Sequence, residues 1–132
     1  MPSDYSIDRS ERLVRVTGSG ALSDTDLLEQ RVRIRDDPSF DASFSFLVDL
    51  RAVTEVLLSA QVVARLARDP ISTPGVRRAI VVPVAEPGAT VPHPLAFGLG
   101  RVFQSIAALR GEDVEVFTDL ELATRWLADG AR

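Results

Sequence analysis

Apolar and polar residues alternate with a period near two from Tyr5 to Ile7 and again from Leu13 to Thr17, which predicts two short strands joined through Asp8–Glu11 as an edge hairpin. Gly18 and Gly20 are expected to release the chain into a turn. Ser23 then offers an N-cap, with Asp26 in the first turn of the helix it opens. That helix reads with Leu27, Leu28, Val32 and Ile34 inward and with Glu29, Arg31, Arg33 and Arg35 toward water. Pro38 stops it by Asp37.

Phe44 to Leu50, FSFLVDL, predicts a central strand ending in Asp49. Ser59 is placed to cap a second helix, whose inward face is Val62, Val63, Leu66 and Ala67 and which Pro70 closes. The run from Ala79 to Val82 is apolar without alternation, as expected for a strand covered on both faces in a parallel sheet. An irregular stretch from Pro83 to Pro94 follows, longer than the usual connection of about 4–6 residues. Pro94 suits the first position of a helix. Leu95, Leu99, Val102, Ile106 and Leu109 form one stripe of that helix, with Gly111 expected at its C-terminus. Val114, Val116 and Phe117 mark a last strand, and Thr118 with Glu121 reads as a capping box for a final helix carrying Leu122, Ala123, Trp126 and Leu127. Trp126 and Phe103 are expected core anchors.

The order is therefore ββαβαβαβα. Short connections with right-handed crossovers predict a single α/β domain: a mostly parallel central sheet, an antiparallel N-terminal edge hairpin, and helices packed over it. The strands carrying Leu47, Ile80 and Val116 are expected to be parallel and central.

The 132 residues suffice for one domain that removes about two thirds of its unfolded surface from water. Composition narrows the chemistry more than it suggests any. Cysteine is absent, so disulfides, thiolate nucleophiles and cysteine-ligated metals are excluded. Lysine is absent too, all 15 basic residues being arginine, which excludes Schiff-base lysine chemistry and a P-loop lysine. His93 is the single histidine, so no metal site of several imidazoles can form. With a net charge of −4 and arginines dispersed among acids, no nucleic-acid partner is expected. No apolar run approaches the roughly 20 residues of a membrane span, and MPSDYSIDRSERLVRV shows no secretory pattern, so a cytoplasmic location is expected. No cofactor is expected.

The element order, the G-x-G-x-L stretch at Gly18 to Leu22, FLVDLR at Phe46 to Arg51, RRAIVVP at Arg77 to Pro83, and FGLGRVFQ with VEVFTDLELATRWL resemble the bacterial SpoIIAA-like proteins of the STAS superfamily. That superfamily is named for sulfate transporters and anti-sigma-factor antagonists. The resemblance runs from Tyr5 to Leu127 and implies a binding or regulatory module. In regulatory relatives a D-S-x-G turn after the central strand carries a serine phosphorylated by a partner kinase. Here the stretch reads Asp49-Leu50-Arg51-Ala52, with no serine beside the aspartate, and Ser59 is the nearest hydroxyl candidate. Some members share the layout of lipid-carrying Sec14-type folds.

Ligands of open parallel sheets bind outside the carboxyl ends of the strands, which directs attention to Asp49, Arg51, His93 and Arg101, with Ser59 as the candidate phosphoacceptor. Asp49 is expected to cap its own turn with Arg51 as ion-pair partner, and could instead receive a ligand or partner. His93 reads as a capping or loop residue, with general acid/base use left open. Gly98 and Gly100, costly inside the helix that carries Arg101, suggest tight packing or a dimer surface. Two functions follow as expectations: a non-enzymatic regulatory or protein-interaction module with a protein partner or as a homodimer, and alternatively a carrier or sensor of a small apolar ligand held beneath Pro83–Pro94. A filled interior between the long helix and the sheet favours the first; a continuous apolar cavity favours the second.

Overall fold

The computed structural model describes residues 3–130. Its elements are β1 (Ser3–Asp8), β2 (Leu13–Ser23), α1 (Asp24–Asp36), β3 (Ser45–Leu57), α2 (Ala60–Arg68), β4 (Arg77–Val81), α3 (Pro94–Ala108), β5 (Asp113–Phe117) and α4 (Leu120–Gly130). The five strands form one sheet in the order β1-β2-β3-β4-β5. β1 pairs antiparallel with β2, and every other pair is parallel. The strands carrying Leu47, Ile80 and Val116 are parallel as expected, but β5 is an edge strand rather than a central one.

This strand order dictates where the helices lie. Each parallel step moves the same way across the sheet, and right-handed crossovers then put α1, α2 and α3 on one face. Val14, Val16, Phe46, Ile80, Val82 and Val114 point to that side, against Ile34 of α1 and Ala96 and Ala107 of α3. The alternate positions Leu13, Leu47, Ala79 and Val81 point to the other side, where Ala123 and Leu127 of α4 cover them. None of the helices is long and apolar enough to cross a membrane, among the described residues.

The caps follow local chemistry. Ser23 and Asp26 form a reciprocal capping box at α1, and Ser59 accepts from the Val62 N–H at α2. Pro94 occupies the first turn of α3. α4 departs from expectation, since Asp119 rather than Thr118 receives the N–H groups of Glu121 and Leu122, at 2.8 and 3.3 Å. An aspartate one residue later is the stronger acceptor for the helix N-terminus.

The largest correction lies in the first half of the sheet. Gly18 and Gly20 do not end β2, and Asp49 does not end β3; the two strands stay paired to Ser23 and Leu57. The pairing shifts register twice, between Thr17 and Ser19 and between Gly20 and Ala21, and each shift inserts one extra residue into β3. Gly18 lies within the ladder because a Cβ there would come within 2.8 Å of Leu50. Gly20, with φ of 62°, accommodates the second irregularity.

Two helices are also rotated from their expected phase. In α1 the buried residues are Gln30 and Ile34, Val32 is exposed, and Arg31 is half-buried. Gln30 is held inward because its amide donates to Ser3 Oγ and to the Asp4 carbonyl, tying the helix to the edge strand. In α3 the inward stripe is Ala96, Leu99, Gly100 and Ala107, whereas Leu95 is exposed and Leu109 is 87% exposed beyond the last turn. Gly100 sets that phase, since a Cβ there would sit 3.2 Å from Val116; Gly98 meets no comparable neighbour. On α4, Leu122 likewise faces out.

Phe46 anchors β3 on the helix-covered face of the sheet. It is 1% exposed, lies 6.0 Å from the Phe40 ring, and carries the Arg78 guanidinium 4.1 Å above its face. Phe46→Ala is expected to lower stability by about 3–5 kcal/mol in urea titration. A loss below about 1 kcal/mol would show that this ring is not the anchor its burial indicates.

Candidate functional site

The helix-covered face of the sheet is not filled. Between it and α1, α2 and α3 lies a partly enclosed cavity of about 150 Å³. Leu50, Val53 and Val56 of β3 supply part of its wall, which the two register shifts turn toward the helices. Val63 and Leu66 of α2 and Leu99 of α3 close it from above. All but three of the lining residues are apolar; the exceptions are Gln30, Arg31 and Arg78.

These three polar residues differ in what satisfies them. Gln30 is occupied by its bonds to β1. Arg78 donates from Nε to Glu112 Oε1 at 2.7 Å, with the two side chains only 14% and 1% exposed, and it stacks between the Phe46 and Phe103 rings. Arg31 has no hydrogen-bond or ion-pair partner among the described residues. Its desolvation, reinforced by the nearby charge of Arg78, lowers its pKa to about 10, against a weaker opposing pull from Asp69 and Glu112. A guanidinium at that value is still charged at neutral pH.

The five residues expected at the site are distributed differently. Asp49 and Arg51 form a bidentate pair, with Nε and Nη2 of Arg51 each 2.9 Å from a carboxylate oxygen. They project from alternate β3 positions to the α4 side, opposite Val48 and Leu50. Burial opposes ionisation of Asp49, but the Arg51 hydrogen bonds and charge outweigh it and hold the carboxyl below its usual range. Ser59 caps α2, and its backbone N–H donates to Asp24 Oδ1 at 2.8 Å. His93 caps α3, its Nδ1 accepting from the Ala96 N–H at 3.3 Å. Arg101 is exposed, with its guanidinium 5.9 Å from the Phe97 ring. The structure thus brings Asp49 and Arg51 together and leaves Ser59, His93 and Arg101 at separate positions; none of the five lines the apolar cavity.

The Pro83–Pro94 segment is more regular than an open loop. Val84 bridges Pro92, the Ala85 N–H donates to the Val91 carbonyl, and the His93 N–H donates to the Pro83 carbonyl. Pro83 touches the cavity, while Val84 and Thr90 border a shallower and more open groove of about 700 Å³ beside Arg51, Asp119 and Arg125. That groove is the larger by volume, but its openness and charged rim give a small ligand little desolvated contact. The apolar cavity is therefore the stronger binding site.

Among the described residues no group of acidic or imidazole side chains is placed to hold a metal ion. No protein-family model matches the sequence, and no curated protein gives a significant match.

Arg31, Arg78 and Glu112 are the residues that sequence reasoning missed. A signal for the first was present: Leu27, Arg31 and Ile34 share the i, i+4, i+7 spacing of one helical face, and Val32 falls outside it.

The Asp49–Arg51 pair makes a pH-dependent contribution of definite sign. Because the folded-state pKa of Asp49 lies below its unfolded value, the stabilisation is present above about pH 4 and is lost as pH falls through the folded pKa. Asp49→Asn is expected to cost no more than about 1 kcal/mol at pH 7, given the half-exposed Arg51, and nothing once wild-type Asp49 is protonated. A series of urea titrations from pH 7 into acid checks this; a difference that persists undiminished after the wild-type carboxyl has titrated would assign the effect to something other than the carboxylate charge.

Proposed function

We propose that this chain is a non-enzymatic binding domain of the SpoIIAA-like STAS type that holds a small apolar ligand between its sheet and α1–α3, as a carrier or sensor. One observation carries the reading: the cavity of about 150 Å³, with apolar walls from both the sheet and the helices. A void of that size in a close-packed interior forfeits dispersion contacts, and an apolar occupant restores them. About 150 Å³ is the size of apolar cavity that accommodates one benzene. The mixed sheet with its N-terminal antiparallel hairpin supports the STAS-type layout.

A filled interior would have favoured a purely protein-interaction module. The cavity instead moves the weight to the ligand, and a protein partner or a second copy of the chain becomes the route by which occupancy is read out. No bond making or breaking is part of this proposal.

Toluene and indole serve as neutral probes of the right size. Either is expected to raise the thermal midpoint by several degrees at a concentration of about 100 times its Kd, since occupancy at that ratio adds about 2.7 kcal/mol. Ala96 is buried and lines the cavity, so Ala96→Leu is expected to fill part of it and abolish the shift while leaving the circular dichroism spectrum unchanged. Absence of a shift in the wild-type protein with both probes would remove the carrier reading.

A further inference from the structure

We infer that the occupant of this cavity is a monocarboxylate on a compact apolar body, with Arg31 receiving its carboxylate. The inference rests on the binding reading above and adds the chemical class of the ligand. It starts from the contrast between two arginines that line one cavity. Arg78 is fully accommodated by Glu112 and two aromatic faces. Arg31 has neither a carboxylate nor a carbonyl partner among the described residues, although the walls around it strip away part of its water.

Charge complementarity determines the class. The groups that act on Arg31 are two cations, Arg78 and Arg110, and two carboxylates, Asp69 and Glu112. The two signs oppose one another there, and none of the four groups is hydrogen-bonded or ion-paired to Arg31 among the described residues. A monoanion neutralises it; a dianion would leave excess negative charge in partly desolvated surroundings. The planar guanidinium fork matches a carboxylate with two parallel hydrogen bonds.

Size sets the rest of the ligand. A cavity of about 150 Å³ matches a single aromatic ring or a branched alkyl group of similar bulk. The carboxylate then lies at Arg31 while the ring lies among Leu50, Val56, Val63 and Leu99.

Benzoate, benzyl alcohol, acetate and phenyl phosphate separate the contributions when titrated calorimetrically into the wild-type protein, Arg31→Gln and Arg31→Lys. Benzoate is expected to bind roughly tenfold or more tightly than benzyl alcohol, the ratio supplied by a charge-assisted hydrogen bond. Acetate, lacking the apolar body, is expected to show no saturable binding, and phenyl phosphate to bind more weakly than benzoate. Arg31→Gln removes an unpaired charge and is expected to fold with an unchanged or higher thermal midpoint. It should bring benzoate down to the level of benzyl alcohol without altering benzyl alcohol itself, while Arg31→Lys restores part of the preference. Equal wild-type affinity for benzoate and benzyl alcohol, or equal loss of both in Arg31→Gln, overturns the assignment of Arg31 and leaves the apolar cavity standing. Tighter binding of phenyl phosphate than of benzoate overturns the carboxylate class. Failure of all four probes, together with toluene and indole, overturns both readings.

Discussion

The continued pairing of β2 with β3, past the point where β4 and β5 have ended, is the constraint on which the rest of this molecule depends. β4 pairs with β3 only from Phe46 to Asp49, whereas β2 follows β3 on to Leu57. Over that extension β3 carries two extra residues, and its inward apolar positions become Leu50, Val53 and Val56, three apart instead of two. A bulged ribbon of this kind twists more strongly than a regular ladder. Its apolar face is thereby turned toward α2 and α3, beyond the region that β4 supports. The cavity lies where this ribbon, the regular sheet and three helices meet.

The one-directional strand order explains why the void is on this face. Three crossovers of the same hand load one side with α1, α2 and α3, while α4 serves the other. A single helix packed along β3, β4 and β5 fills its groove with Leu120, Ala123, Trp126 and Leu127. Three helices set by three separate connections have to share a wider surface, and the middle one, α2, spans only nine residues. Small residues at Ala96, Gly100 and Ala107 draw α3 close to the sheet, with Gly100 against Val116. That close seating fixes the strand side of α3 and leaves the space next to α2 open.

What was legible in the sequence and what was not divide along this line. Apolar runs at Phe46, Ala79 and Val114, together with caps at Ser23 and Ser59 and the first-turn Pro94, are local signals, and they place the parallel strands and most helix starts correctly. The strand extension has no such signal, because the change of period after Leu50 hides the alternation by which a strand is recognised. Gly18 and Gly20 read as turn residues on their own, and only the approach of Leu50 reveals why a side chain is excluded at Gly18. Asp49, which on its own reads as a strand end and so as the centre of a ligand edge, lies instead within β3 on the α4 side of the sheet. The apolar wall made by Leu50, Val53 and Val56, at a spacing of three, carries no strand signature in the sequence. The α1 phase failed for a related reason, since Gln30 is held inward by β1, a contact remote in sequence.

Electrostatics sharpens the distinction between the fold's own polar groups and those left for a ligand. Removing one member of a buried ion pair leaves an uncompensated charge, at about 3–5 kcal/mol, so Arg78 and Glu112 each require the other, and the Phe46 and Phe103 rings flank the guanidinium. Arg31 stands a short way along the same cavity under the opposite condition. Its desolvation and the repulsion from Arg78 both disfavour its charge, yet a guanidinium cannot shed a proton within the ordinary pH range even when lowered to about 10. Neutralisation by proton loss is closed to it, and neither Asp69 nor Glu112 pairs with it directly. Water reaches it only in part, and an anion from outside the chain would complete the compensation at a position whose apolar surroundings select what that anion is attached to.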